Sequence, residues 1–176
     1  MKKVILINGK ARHGKDTVGQ YLYKQLSING NSVLLTHYGD LLKYICKEFL
    51  GWNGKKDERG RTMLQNVGTN VVRKKYPNYW VDFILQMADF FSECWDYIVI
   101  PDVRFPNEIN LWKEKGYDVV TINVNRPDFD NGLTEEQNKH ESETYDLTSL
   151  SDIFISNDGS KQDLFDKVKE IIKGGL

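Results

Sequence analysis

Residues 9 to 17 read GKARHGKDT and follow directly on the apolar run VILIN. Two glycines with four residues between them, then Lys15, nearly match a loop that wraps a phosphate group, in which serine or threonine usually follows the lysine. Here Asp16 follows, and then Thr17. In such a loop the backbone N–H groups of Gly9, Ala11, Arg12, His13 and Gly14 point into one concavity. The partial positive charge at the start of the next helix adds to them, and Lys15 reaches the outer phosphates. Asp16 offers a hard oxygen anion where a hydroxyl normally ligates Mg2+, directly or through water, with Thr17 beside it as a second oxygen. It also complements the helix dipole, and the two roles are compatible. A GxGxxG dinucleotide fingerprint is absent, which argues against a NAD-binding protein.

A second polar group lies in KKDERGRTMLQNVGTNVVRKK, the most basic stretch of the chain. Arg61, Gln65, Thr69 and Arg73 are spaced by four and form one slanting stripe on a helix, while Met63, Leu64, Val67 and Val71 face another way. Forked guanidinium groups suit phosphate and an amide suits a base or sugar, although a solvated charged face has the same pattern. Gly68 would allow close approach of a substrate or a neighbouring backbone. Asp40 reads either as a helix N-cap or as a substrate contact. Tyr38 and Trp80 have the flat faces to stack on a base, or the bulk to fill a core.

These residues must be positioned by an alternating pattern. The β-rich runs KVILIN (3 to 8), SVLLTHY (32 to 38), DYIVIPDV (96 to 103), DVVTINV (118 to 124) and DIFIS (152 to 156) are separated by helical patterns. That alternation predicts a five-stranded parallel sheet covered by helices on both faces, an α/β three-layer sandwich. Val18, Leu22 and Leu26 recur at steps of four before Gly30, and Leu41, Leu42, Ile45, Cys46 and Phe49 run up to Gly51, so both segments read as amphipathic helices. Helices are expected over about 57 to 75, over 81 to 95 and over about 160 to 173. The second is apolar all round, as a buried helix would be. Residues 51–95 thus form a helical insertion between the second and third strands of a single domain spanning 1–176. Asp102 falls at the carboxyl end of the third strand, where ligands bind in open α/β sheets, and is placed to hold Mg2+ through water. Pro106 suits the first turn of the helix that follows. Residues 125–145 are the one long irregular segment, consistent with a lid, and His140 within it reads as a structural hydrogen-bond partner.

The 176-residue chain carries 24 Lys and Arg against 25 Asp and Glu, so no global charge favours a nucleic-acid polymer or a membrane, and any anion site is local. Cys46 and Cys94 lie in apolar stretches without metal-ligand spacing, which favours buried free thiols in a reducing compartment. No apolar run approaches a membrane span, and MKKVILING reaches a glycine too soon for a signal peptide. The expected location is cytoplasmic, with pairing of two copies left open.

Taken together and in order, GKDT, GDLLK (39 to 43), LQNVGTNVVR (64 to 73), PDVRFPNE (101 to 108), HESE (140 to 143) and SNDGS (156 to 160) resemble the phage-type deoxynucleoside monophosphate kinases, which are P-loop NTPases of the nucleoside monophosphate kinase group. In that family aspartate after the loop lysine is a normal variant. The resemblance implies ATP as donor, Mg2+ as cofactor and a deoxynucleoside monophosphate as acceptor, with small nucleotides as the partners. It implies that Gln65, Thr69 and Arg73 bind the acceptor, together with Asp40, Trp80 and Asp102, and that Arg104 bridges donor and acceptor phosphates. It further implies that Arg126 at the root of the lid stabilises the transferring phosphoryl and that Asn157 and Gly159 contact adenine. Lys15, Arg104 and Arg126 would then be the catalytic residues. Phosphomevalonate or dephospho-coenzyme A kinases are the nearest alternatives, and a slow nucleotide-binding switch is the alternative outside small-molecule kinases.

Overall fold

The computed structural model describes residues 2–176. Strand β1 (Lys3–Asn8) is buried at every position after the first, which only a central strand covered on both faces allows. It pairs in parallel with β3 (Tyr97–Val103) on one side and β4 (Asp118–Asn125) on the other. With β2 (Val33–Leu35) and β5 (Ile153–Ser156) at the edges, the sheet has five parallel strands in the order β2-β3-β1-β4-β5. Because β1 is central and both neighbours run parallel to it, the loop after Asn8 emerges at the carboxyl edge of the sheet, between the ends of β3 and β4.

Alternation along the strands divides the core in two. Val4, Leu6, Ile98 and Ile100 pack on one face against Trp80, Val81, Ile84, Leu85 and Ala88 of α4 (Tyr79–Phe90) and against Ile109 and Trp112 of α5 (Asn107–Glu114). Ile5, Ile7, Val99, Ile122 and Val124 pack on the other face against Val18, Leu22 and Leu26 of α1 (Lys15–Ile28) and against Leu164 and Val168 of α8 (Lys161–Lys173). This is the three-layer α/β arrangement expected.

The chain between β2 and β3 is helical: α2 (Gly39–Phe49), α3 (Glu58–Gln65) running into a π-helical segment (Asn66–Arg73), then α4 and a 3-10 turn (Ser92–Cys94). Three expectations need correction here. Strand β2 is shorter than residues 32 to 38, because Thr36 N–H makes a last bond to Val99 O at 3.1 Å and the chain then turns into α2. Helix α4 ends at Phe90 and is not buried all round: it lies on the outside of the sheet, so Phe83 is 43% and Phe90 83% exposed. Cys46 and Cys94 are both free, but only Cys46 is buried, since Cys94 sits on the exposed 3-10 turn.

Residues 125–145 hold two one-turn helices, α6 (Glu135–Asn138) and α7 (Glu141–Thr144). Thr134 and Gln137 close a reciprocal capping box on α6, and His140 Nδ1 accepts Ser142 N–H at 3.2 Å to cap α7. Among the described residues no helix is long and apolar enough to cross a membrane.

Candidate active site

The loop 9–14 is built from conformations that aim backbone outward. Gly9 (φ +135°) and Gly14 (φ +102°) both lie in the positive-φ region, and Arg12 adopts φ +61° between them. A Cβ on Gly9 would stand 2.2 Å from Val124 O, so the loop lies directly on β4. Gly14 is the N-cap of α1 and brings no side chain to it, so the first-turn N–H groups have no side-chain acceptor. A 14-residue helix that begins bare beside a buried lysine fits an anion such as a phosphate. Lys15 is 6% exposed and its Nζ donates to Lys10 O at 2.8 Å. Burial, reinforced by the Arg104 charge, pushes its ammonium down to about 7, against the opposing pull of Glu143, Asp16 and Asp102. An incoming anion would restore that charge. Asn157 Nδ2 donates to His13 O at 3.0 Å and braces the loop from the end of the edge strand β5. His13 Nδ1 accepts Arg126 N–H at 3.0 Å.

At the end of β3, Asp102 accepts Tyr38 N–H through Oδ1 and Gly39 N–H through Oδ2, each at 2.9 Å. It therefore caps α2, whose N-cap residue, Tyr38, makes no side-chain capping bond. Asp40 is not that cap. It lies in the first turn, where its carboxylate accepts His37 N–H at 3.0 Å and Lys43 Nζ at 2.8 Å. His37 joins the two acids: its Nε2 is 3.4 Å from Asp16 Oδ1 and its Nδ1 is 3.1 Å from Asp40 Oδ2. Burial alone would lower the imidazole, but the bonds to Asp16 and Asp40, with Asp102 behind, raise it to about 9. Sequence reasoning passed over His37, although the carboxyl end of a strand is where site residues gather in such sheets.

Glu108 organises the two arginines. Its carboxylate accepts Arg104 N–H at 2.6 Å and Phe105 N–H at 3.1 Å through Oε2, and Arg73 Nη2 at 2.7 Å through Oε1. The Arg73 guanidinium lies 3.8 Å over the Phe105 ring. Burial pushes Glu108 up to about 7, opposed by Arg73 and the two backbone donors. Arg73 is thus partly committed to the protein, and Glu108 is a further residue the sequence reading did not single out. The Arg104 guanidinium pairs with Glu143 at 2.7 Å.

Lys15, Asp16, Asp102 and Arg104 face Arg61 and Gln65 of the insertion across a cleft of about 340 Å³. A smaller recess of about 170 Å³, lined by Gln65, Thr69, Arg73 and Trp80, shares Gln65, Asp102 and Arg104 with it. The four-spaced stripe therefore borders one continuous hollow, and the π-helical winding explains why. In the α part a step of four overshoots a full turn, in the wider π part it falls short, and the two drifts cancel. The same winding leaves Thr69 buried and Val71 exposed, the reverse of what the apolar set implied for Val71.

Other expectations are met differently. Trp80 is buried in the core with its Nε1 donating to Gly68 O at 3.0 Å, so its ring supports the recess instead of standing free to stack. At Gly68 a Cβ would come 2.7 Å from Leu42 Cδ2, so the close approach is to a side chain of α2. Arg126 is not brought to Lys15: its guanidinium stacks 3.9 Å over Phe129 and lines a neighbouring cleft with Lys10 and His13. Gly159 stands just before Ser160, the cap of α8. Among the described residues no three His, Cys, Asp or Glu side chains converge as a metal cage. Asp16 and Asp102 line the cleft, and Thr17 follows Asp16 in the first turn of α1.

The family model described as deoxynucleotide monophosphate kinase matches residues 40–168, most of the chain, beginning after the phosphate loop. A protein of that name from Escherichia phage RB69 is 30% identical over 161 residues, covering 87% of this chain and 63% of the relative. Another, from Enterobacteria phage T4, is 31% identical over 115 residues, covering 64% of this chain and 45% of the relative. The chain thus spans less than two thirds of the length of either relative. Among solved structures, an APS kinase of Mycobacterium tuberculosis superposes with a TM-score of 0.55 at 12% identity, over 98% of both chains. Shikimate kinase of Aquifex aeolicus gives a TM-score of 0.50 at 15% identity, over 99% of this chain and 97% of that one. At such identities these two speak for the fold alone, an α/β sandwich shared with small-molecule kinases, while the family model and the phage relatives go further: the chain belongs to the deoxynucleotide monophosphate kinase family.

Proposed function

We propose that this chain transfers the γ-phosphoryl of ATP to the phosphate of a deoxynucleoside monophosphate, giving ADP and the deoxynucleoside diphosphate. One observation carries the reading: the bare, glycine-framed start of α1 and Lys15 open onto the same cleft as Arg104 and the insertion stripe. A donor phosphate on the loop and an acceptor phosphate against the stripe would meet between Lys15 and Arg104. The acceptor already carries an ionised oxygen, so no general base is required, and positioning with charge neutralisation does the work. Lys15 follows the phosphoryl as it moves, Arg104 bridges the two phosphates, and Gln65, Thr69 and Arg73 hold the acceptor in the recess. Asp16 and Asp102, with Thr17, would hold Mg2+, which when bound supplies further neutralisation of the phosphates. Arg126 and residues 125–145 would act once the segment moves over ATP, with Asn157 and Gly159 towards the adenine. Two free thiols suit a cytoplasmic setting.

The test is ADP formation from ATP and Mg2+ with each common deoxynucleoside monophosphate in turn, and with none. Acceptor-dependent ADP supports the reading. Turnover only with phosphomevalonate or dephospho-coenzyme A would move the chain to another acceptor, and slow acceptor-independent hydrolysis would make it a switch.

A further inference from the structure

The anion-binding cradle already holds a negative charge from the chain itself. Glu143 lies 132 positions from the phosphate loop, yet its Oε2 accepts Ala11 N–H at 3.2 Å. Its Oε1 accepts the Arg104 guanidinium at 2.7 Å, and only 9% of the side chain is exposed. One donor is a loop N–H and the other is the arginine that lines the same wall of the cleft as Lys15. Burial lowers Lys15, His13 and Arg61, and the Glu143 charge opposes that shift in all three. A carboxylate has the charge and the acceptor geometry of a phosphoryl oxygen pair, and the two compete for the same donors.

The segment that delivers Glu143 is bonded mainly within itself, through the caps of its two short helices, and it holds two buried orphan groups. Of four buried side-chain polar atoms without a hydrogen-bond partner among the described residues, two belong to it: Gln137 Nε2 and His140 Nε2. Its helices are single turns, and Phe105 meets Tyr145 at 5.3 Å between ring centroids just beyond α7. The two charge-assisted bonds of Glu143 tie α7 to the loop and to Arg104.

We propose that Glu143 is an internal stand-in for phosphate: it sits on the loop and Arg104, and an incoming polyphosphate displaces it and frees the segment that carries it. The inference rests on the phosphate-loop reading above. Its consequence is competitive, because the apparent affinity for polyphosphate falls by the fraction of molecules in which the position is free. A carboxylate seated in about nine molecules of ten would weaken binding about tenfold.

The experiment is calorimetric titration of the full chain with inorganic tripolyphosphate, and separately with ATP, for the wild type, Glu143→Gln, Glu143→Ala and Glu141→Gln. Both Glu143 variants should bind tripolyphosphate about tenfold more tightly than the wild type. Glu141→Gln, which removes a neighbouring exposed charge, should stay within about twofold of it. Equal or weaker binding by the Glu143 variants would overturn the inference, since Glu143 would then support the cradle instead of filling it. An equal gain from Glu141→Gln would also overturn it, by assigning the effect to general charge. A wild type that binds neither probe would overturn the phosphate-loop reading, and the inference with it, whereas binding of both probes with no gain in the variants would leave that reading standing and remove the inference alone.

Discussion

Asp102→Asn changes one carboxylate oxygen into an amide nitrogen at a point where both oxygens are in use. Tyr38 N–H and Gly39 N–H are each 2.9 Å from a different oxygen, and they begin α2, which has no other side-chain cap. The amide keeps one acceptor and turns its NH2 towards the second N–H. The loss is one charge-assisted bond, about 1.5–3 kcal/mol, plus the penalty of a stranded donor, about 1–3 kcal/mol, partly relieved because α2 is not deeply buried. A net destabilisation of about 3 kcal/mol is expected, which for a domain of this size lowers Tm by roughly 6–12 °C. Thermal melts followed by far-UV circular dichroism measure it. A shift under about 2 °C would mean that the strand carboxylate does not hold the helix, and the reasoning fails. Magnesium titration of the proposed phosphoryl transfer then separates the roles: an unchanged half-saturation assigns Asp102 to capping alone, and a raised one adds contact with the metal.

Under the proposed transfer, Lys15→Ala removes a charge aimed at the moving phosphoryl and should lower kcat by about 10²–10³ with an unchanged melt; a variant retaining most of the wild-type rate would take the loop out of the chemistry. Gly9→Ala places a Cβ 2.2 Å from Val124 O at φ +135°, backbone against backbone, so a loss of about 3 kcal/mol or more is expected in urea unfolding, and a near-neutral melt would refute the close packing of loop on strand. Arg73→Ala strands Glu108 in the interior, by about 3–5 kcal/mol if the carboxylate stays charged. Glu108 is raised from 4.5 to about 7 in the folded chain, so the folded state binds the extra proton and stability falls as pH rises from about 4.5 through 7. Without Arg73 that rise goes further, so the cost of Arg73→Ala should be smaller at pH 6 than at pH 8; equal urea midpoints relative to wild type at the two pH values would refute it.

What was legible in the sequence follows from range. β1, the loop and α1 are contiguous from Lys3 to Ile28, and their backbone geometry is dictated by glycines and apolar spacing along that one stretch, so the conformation of the glycine loop could be read directly. The wall formed by the insertion and the end of β3 could not, because its side chains hold one another across the fold. Asp40 has the residue type of a helix cap, yet the cap of α2 comes from Asp102 on another strand. The stripe from Arg61 to Arg73 stayed on one face only because the helix changes its winding midway, which an α-helical wheel does not contain. Arg73 has the chemistry for phosphate, but Glu108, 35 positions away, takes one of its nitrogens. The same carboxylate fixes the backbone of Arg104 through its other oxygen, and the Arg104 guanidinium is held in turn by Glu143. The two arginines are therefore coupled through Glu108, one by side chain and one by main chain. A substitution at Arg73 should be felt at Arg104 even though the two guanidinium groups share no bond, and double-mutant cycles between them should be non-additive.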